Sequence, residues 1–168
     1  MTDLTSILRR RVIPGLLDAM PEPDGLRTWI SKGSYTITAG AKPNEFSLAN
    51  IDLDEILGYA LFDYSRNALA SFESLCSSRL EYFNRKAKSW PLLKRYYSAF
   101  FAGHAVMRAV GEGIIRLESE KANHLTSVGK LYCGDQFSVS GGNYALSFQI
   151  SAISKLTINF ENLIGLLF

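Results

Sequence analysis

Cysteine, histidine and proline are scarce in this chain, and each shortage excludes something. Its two cysteines, Cys76 and Cys133, lie far apart in 168 residues and have no Cys or His neighbours at zinc-ligand spacing. They read as two reduced thiols in a cytoplasmic protein. With two histidines in the whole chain, metal-assisted hydrolysis is a poor fit, and no cofactor is expected. No apolar run reaches the ~18 residues of a membrane span. The start, Met1-Thr2-Asp3-Leu4 and then three arginines, has the wrong order for a signal peptide, so no membrane association is expected. A glycine-rich phosphate loop is also missing, because Gly111-Glu112-Gly113 lacks the following Lys-Ser or Lys-Thr and reads as a helix stop. Neither a serine nucleophile in a strand-turn-helix setting nor a pair of catalytic carboxylates stands out. A formal net charge of +2 is too small to argue for a nucleic-acid partner, so any electrostatic case has to be local.

What is present is apolar material, 47% of the residues, which is enough for one domain with a real core and argues for a single unit over 1–168. Leu4, Ile7, Leu8, Val12, Leu16 and Leu17 recur at helical spacing up to Met20, with Pro14 forcing a bend. Residues 21–50 read as an irregular connector, within which Tyr35-Thr36-Ile37-Thr38 has the composition of a short strand or extended loop. From Asp52 onward, Leu57, Leu61, Tyr64, Ala68, Phe72, Leu75, Leu80 and Phe83 predict a long amphipathic helix. Ser89 suits its successor's cap and Pro91 its first turn, so Trp90 to Val110 forms a second helix, antiparallel to the first. A third is expected between Ile114 and Val128. Gln136–Ser140 and Asn143–Phe148 flank Gly141-Gly142, which predicts a small β-hairpin over 136–150. Ile153 to Phe168 reads as a final helix, although its β-branched residues sit poorly there.

Helical angle divides the second long helix into three strips. Ser98, Ala102, Ala105 and Ala109 are small and admit a neighbouring helix, while Tyr96, Phe100, Gly103, Met107 and Val110 suit a core. Lys94, Tyr97, Phe101, His104 and Arg108 gather two cations, a phenol and an imidazole on one side. Metal-free RNA cleavage needs a base for the 2′-hydroxyl, a cation for the charge developing on the phosphate, and a donor that positions it. His104, Arg108 and Tyr97 supply these in turn. The alternative for His104 is a hydrogen-bonded core or interface residue.

The run Tyr96-Tyr97-Ser98-Ala99-Phe100-Phe101-Ala102-Gly103-His104-Ala105-Val106-Met107-Arg108 resembles the signature helix of the HEPN superfamily, found in bacterial defence and toxin loci. That resemblance covers about twenty residues and, in outline, the preceding helix. It implies a mainly α fold, an antiparallel bundle of four or five helices, often homodimeric, here with the small β-hairpin as an insertion. It also implies either a metal-independent endoribonuclease or toxin-type effector, or a non-catalytic subunit of a defence or toxin–antitoxin assembly. The chain departs from the family's nuclease motif, which places an Arg four to six residues ahead of a His. Here eight residues separate Arg95 from His104, and seven separate Arg116 from His124.

Around the first interhelical junction, Arg79, Arg85, Lys86, Lys88, Lys94 and Arg95 stand beside Tyr82, Phe83, Trp90, Tyr96 and Tyr97, a pattern that can track a phosphate backbone and stack a base. Arg85, Lys86, Lys88, Lys94 and Arg95 are the candidate RNA-binding residues, with a plain solvated turn as the alternative. His124 is a secondary candidate. The apolar end, Leu163-Ile164-Gly165-Leu166-Leu167-Phe168, suggests docking on a partner protein or a natural chain that continues.

Overall fold

The computed structural model describes residues 15–16, 19–20, 22–42, 44–84, 88–150 and 156–162. Within them the element order is α1 (Leu26–Lys32), β1 (Thr36–Ala39), β2 (Phe46–Ile51), α2 (Leu53–Asn84), α3 (Ser89–Ala109), β3 (Glu112–Leu117), α4 (Ser119–Cys133), β4 (Gly142–Ile150) and β5 (Leu156–Asn162). All five strands belong to one sheet in the order β1-β2-β5-β4-β3, every neighbour antiparallel. The expected helical bundle with a small hairpin is therefore wrong: this is an α/β fold built on a five-stranded antiparallel sheet.

Local chemistry explains each correction. The 21–50 connector holds a helix and two strands. Leu26, Trp29 and Ile30 give α1 a buried stripe, and Asp63 of α2 accepts a hydrogen bond from the Leu26 amide at 3.3 Å. Ile37 in β1 and Phe46, Leu48 and Ile51 in β2 point inward. The inward parity of β2 shifts between Leu48 and Ile51, where Asn50 takes φ 57 in a bulge. The expected helix from Ile114 begins instead at Ser119. Glu112 to Leu117 alternates exposed and buried, the signature of a half-buried strand, and Ile114 and Leu117, which suggested one helical face, point to opposite sides of β3.

The predicted 136–150 hairpin fails on its first arm. Val139 donates its amide to Thr126 Oγ1 of α4 at 2.9 Å, so that stretch packs along a helix and does not pair with β4. Gly142 pairs with Leu117, making Gly142–Ile150 the partner of β3 and of β5. The final helix is also corrected: Leu156–Asn162 is a strand between β2 and β4, with Ile158 and Phe160 facing inward. The bent helix expected up to Met20 and the apolar end from Leu163 lie largely or wholly outside the described residues.

One face of the sheet carries the core. Phe46 stacks on Phe160 at 4.6 Å between ring centroids and meets Tyr144 edge-on at 5.9 Å. Trp29, Ile30, Ile56, Leu57, Ala60, Ala122 and Leu125 from the helices close over them. The Tyr35 phenol donates to the Ile30 carbonyl, and burial pushes its pKa up to about 12. Across the opposite face runs a polar row, in which Ser47 Oγ lies 2.6 Å from Asn159 Oδ1.

The two long helices appear close to where their periodicity puts them, yet they do not pack as expected. Only the first third of α2 reaches the core. Beyond Asp63, Ser78 is the only residue of α2 that is fully buried among those described, and α3 buries Pro91, Ser98, Ala105 and Arg108. The helices thus leave the sheet as an antiparallel hairpin and touch mainly each other.

Candidate functional site

At the root of that hairpin, α2, α3, β3 and the start of α1 enclose a crevice of about 470 Å³. His104 and Arg108 line it together, joined by Asp63 and Arg66 from α2, Arg27 from the rim and Phe100 from the turn before His104. The residues that meet here come from segments about forty positions apart, brought together because α3 returns along α2. Helical spacing alone put His104 and Arg108 one turn apart, and both face this crevice. Tyr97 does not. It is not in the crevice wall; its ring stacks on Phe101 at 6.4 Å and meets Tyr96 at 5.6 Å, nearer the tip of the hairpin.

Arg108 is 8% exposed, and its Nη2 donates to the Ile114 carbonyl at 2.9 Å. Its Nε and Nη1 have no hydrogen-bond partner among the described residues. Burial and the neighbouring Arg66 push the guanidinium's pKa down, with Asp63 opposing them; burial is the largest cause. Asp63 is 7% exposed and makes its ion pair with Arg66, at 3.9 Å. His104 packs against the Phe100 ring at 4.4 Å, and burial together with the Arg108 charge holds it below the ordinary histidine range. The imidazole is therefore mostly neutral at neutral pH and free to accept a proton.

The predicted RNA-binding cations behave differently. Lys94 is committed within the hairpin, donating to Ser77 Oγ and Glu81 Oε1, each at 2.7 Å. Lys88 donates to the Tyr82 carbonyl and lies 4.5 Å from the Tyr82 ring centre, while Arg95 lies 4.7 Å from it. Lys88 and Arg95 are exposed; Arg85 and Lys86 fall outside the described residues. His124 sits on α4, and it does not line the crevice. Among the described residues no group of three or more His, Cys, Asp or Glu side chains is placed to hold a metal ion.

A second feature was not anticipated: past the crevice the fully buried positions of the hairpin are small side chains, and many of its large apolar ones are exposed. Ser98 Oγ donates to the Ser71 carbonyl at 2.9 Å across the contact, and Ser78 and Pro91 are fully buried. Phe72, Leu80, Phe83, Trp90 and Tyr96 are each more than half exposed, Phe83 by 82%. Tyr96, Phe100 and Gly103, assigned from the sequence to a core-facing strip, are on the outside. The small strip of Ser98, Ala102 and Ala105 had marked which side faces α2; with that side occupied, the aromatic strip was left for solvent.

The chain matches no protein-family model, no curated protein and no solved structure.

Proposed function

We propose that this chain is an assembly module that pairs through the outer face of the α2–α3 hairpin, with a second copy of itself as the partner. The inverted packing of the hairpin supports this reading. A helix pair isolated from the sheet ordinarily buries its largest apolar side chains between its members or under a further layer. Here serines, a proline and the Lys94–Glu81 pair sit in the contact, and among the described residues an aromatic and leucine face is left without cover, of the kind that marks interaction sites. Two such hairpins laid face to face make a four-helix layer in which each copy covers the other. This corresponds to the non-catalytic reading of the HEPN-like resemblance, an assembly subunit in a defence or toxin–antitoxin complex, without the bundle fold. A cytoplasmic setting goes with it, since Cys76 and Cys133 are both free thiols.

Light scattering after gel filtration tests the proposal. The chain is expected to run at twice its monomer mass, and Phe72→Glu with Tyr96→Glu is expected to return it to one copy that still unfolds in one cooperative transition, at a lower melting temperature because the stabilisation by pairing is gone. A wild-type mass of one copy at high micromolar concentration overturns it.

A second reading, metal-independent RNA cleavage, is favoured by one observation: His104 and Arg108 share a crevice. His104 would take the 2′-hydroxyl proton, and Arg108 would hold the charge developing on the phosphate. Tyr97 lies outside the crevice, which removes it from this mechanism unless a second copy supplies it. Incubation with RNA in chelator tests the idea: cleavage lost in His104→Ala supports it, and intact RNA with the wild-type chain ends it.

A further inference from the structure

We infer that the crevice at the root of the hairpin binds the phosphate group of a phosphomonoester, with Arg108 at its back and Arg66 at its mouth. This rests on neither pairing of the hairpins nor RNA cleavage.

The charge balance carries the inference. Three guanidinium groups, Arg27, Arg66 and Arg108, line the crevice against two carboxylates, Asp24 and Asp63. The outer charges already have partners: Arg27 pairs with Glu118 at 3.4 Å, and Asp24 with Lys32 at 3.6 Å. That leaves the Asp63 carboxylate between two guanidiniums. Asp63 is itself divided, because one oxygen accepts the Leu26 amide and the other makes the ion pair with Arg66. Arg108, the more buried of the two cations, donates to one carbonyl, and its Nε and Nη1, closed off from solvent, have no hydrogen-bond partner among the described residues.

A buried cation without a counter-charge is costly, and an anion that enters beside it removes that cost. A phosphate group is the best match. Its charge of about −1.5 to −2 answers the positive charge in excess, and its oxygens suit the forked donors of Arg66 with the Arg108 charge behind them. The crevice has room for more than the phosphate, and Phe100 on its wall, 47% exposed, offers an apolar surface to whatever body the phosphate is carried on. Asn67 and Thr28 add neutral polar groups around the same opening.

Titration calorimetry on the full chain tests this with inorganic phosphate, ribose 5-phosphate and adenosine 5′-monophosphate as separate probes. All three are expected to bind, the nucleotide most tightly if an aromatic body seats on Phe100, and each is expected to raise the melting temperature. Equal affinity for the three would assign the site to the phosphate group alone. Arg66→Gln, at an exposed position where folding is not at stake, is expected to weaken phosphate binding about tenfold, the loss of one charge-assisted contact. Arg108→Lys keeps the charge and loses the fork, and is expected to weaken it by at least as much. The inference is overturned if no probe binds at millimolar concentration, or if probes bind equally well to the wild type and to both variants. It is also overturned if adenosine binds as tightly as its monophosphate. Intact RNA with a wild-type chain that still binds phosphate would end only the catalytic reading.

Discussion

Arg108 Nη2 donates to the carbonyl of Ile114 at 2.9 Å, so the last turn of α3 is tied to the edge strand that follows it by a group still carrying its charge. The contact depends on Gly113. A Cβ at that position would run into Arg108 Nη1, one of its two nitrogens without a hydrogen-bond partner among the described residues. Gly113→Ala is therefore expected to push the guanidinium out of place and lower stability by about 1–3 kcal/mol, the range for overpacking a tight site. Denaturant unfolding measures it; an unchanged midpoint would mean that the arginine is not held there.

The His104 imidazole is held below its ordinary value of 6.5, chiefly by burial and then by Arg108. A depressed pKa in a base means that the unfolded chain takes up the proton first. The stability associated with a neutral His104 is complete above 6.5 and is lost as pH falls from there through the folded pKa. NMR titration of the ring protons is expected to give a midpoint below the ordinary one, and His104→Gln is expected to flatten the acid side of the stability profile. A midpoint at or above the ordinary value would contradict the packing against Phe100.

Lys94 illustrates how a sequence-level binding residue becomes a structural one. Its ammonium is shared between Ser77 and Glu81 in a partly buried position, so it fastens α3 to α2. Lys94→Met is expected to lower stability by about 1–2 kcal/mol, as for a hydrogen-bonded charge that loses its partner, and to leave any RNA affinity unchanged. Melting curves and a filter-binding assay read the two effects separately; the reverse pattern would return Lys94 to the RNA-binding set.

Thr126 holds the segment before β4 in place by accepting the Val139 amide at 2.9 Å. Thr126→Val keeps the shape and removes the acceptor, so a backbone N–H loses its partner, at a cost of about 1–3 kcal/mol. Hydrogen exchange at Val139 is expected to quicken in that variant, and unchanged exchange would show that the bond contributes nothing.

These contacts also explain how much was legible in the sequence. The two long helices are, because more than twenty residues of uninterrupted 3.6-residue periodicity have no competing interpretation. Their packing is not: a stripe containing Phe72, Leu80 and Phe83 implies a buried face, and nothing in the chain says that the face is left uncovered. The sheet was lost one strand at a time. Ile114 and Leu117 fit a helix as well as a strand in so short a run, and β5 is a strand through its pairing with β2 and β4, partners far away in sequence. Half of the crevice was readable, since His104 and Arg108 lie one turn apart. Arg27 and Arg66 belong to it only through folding. Asp63 did leave a trace, because it continues the Ile56 and Ala60 stripe of α2, and a carboxylate on an inward stripe calls for a partner.

The most direct test of the pairing proposal uses the two tryptophans, Trp29 with no exposure and Trp90 with 53%. In a Trp29→Phe background, fluorescence from Trp90 reports on the hairpin face alone. As concentration is raised through the range in which the mass doubles, acrylamide quenching of Trp90 is predicted to fall several-fold, because a second copy covers the ring. Quenching that stays high after the mass has doubled would place the contact elsewhere on the molecule and contradict the account.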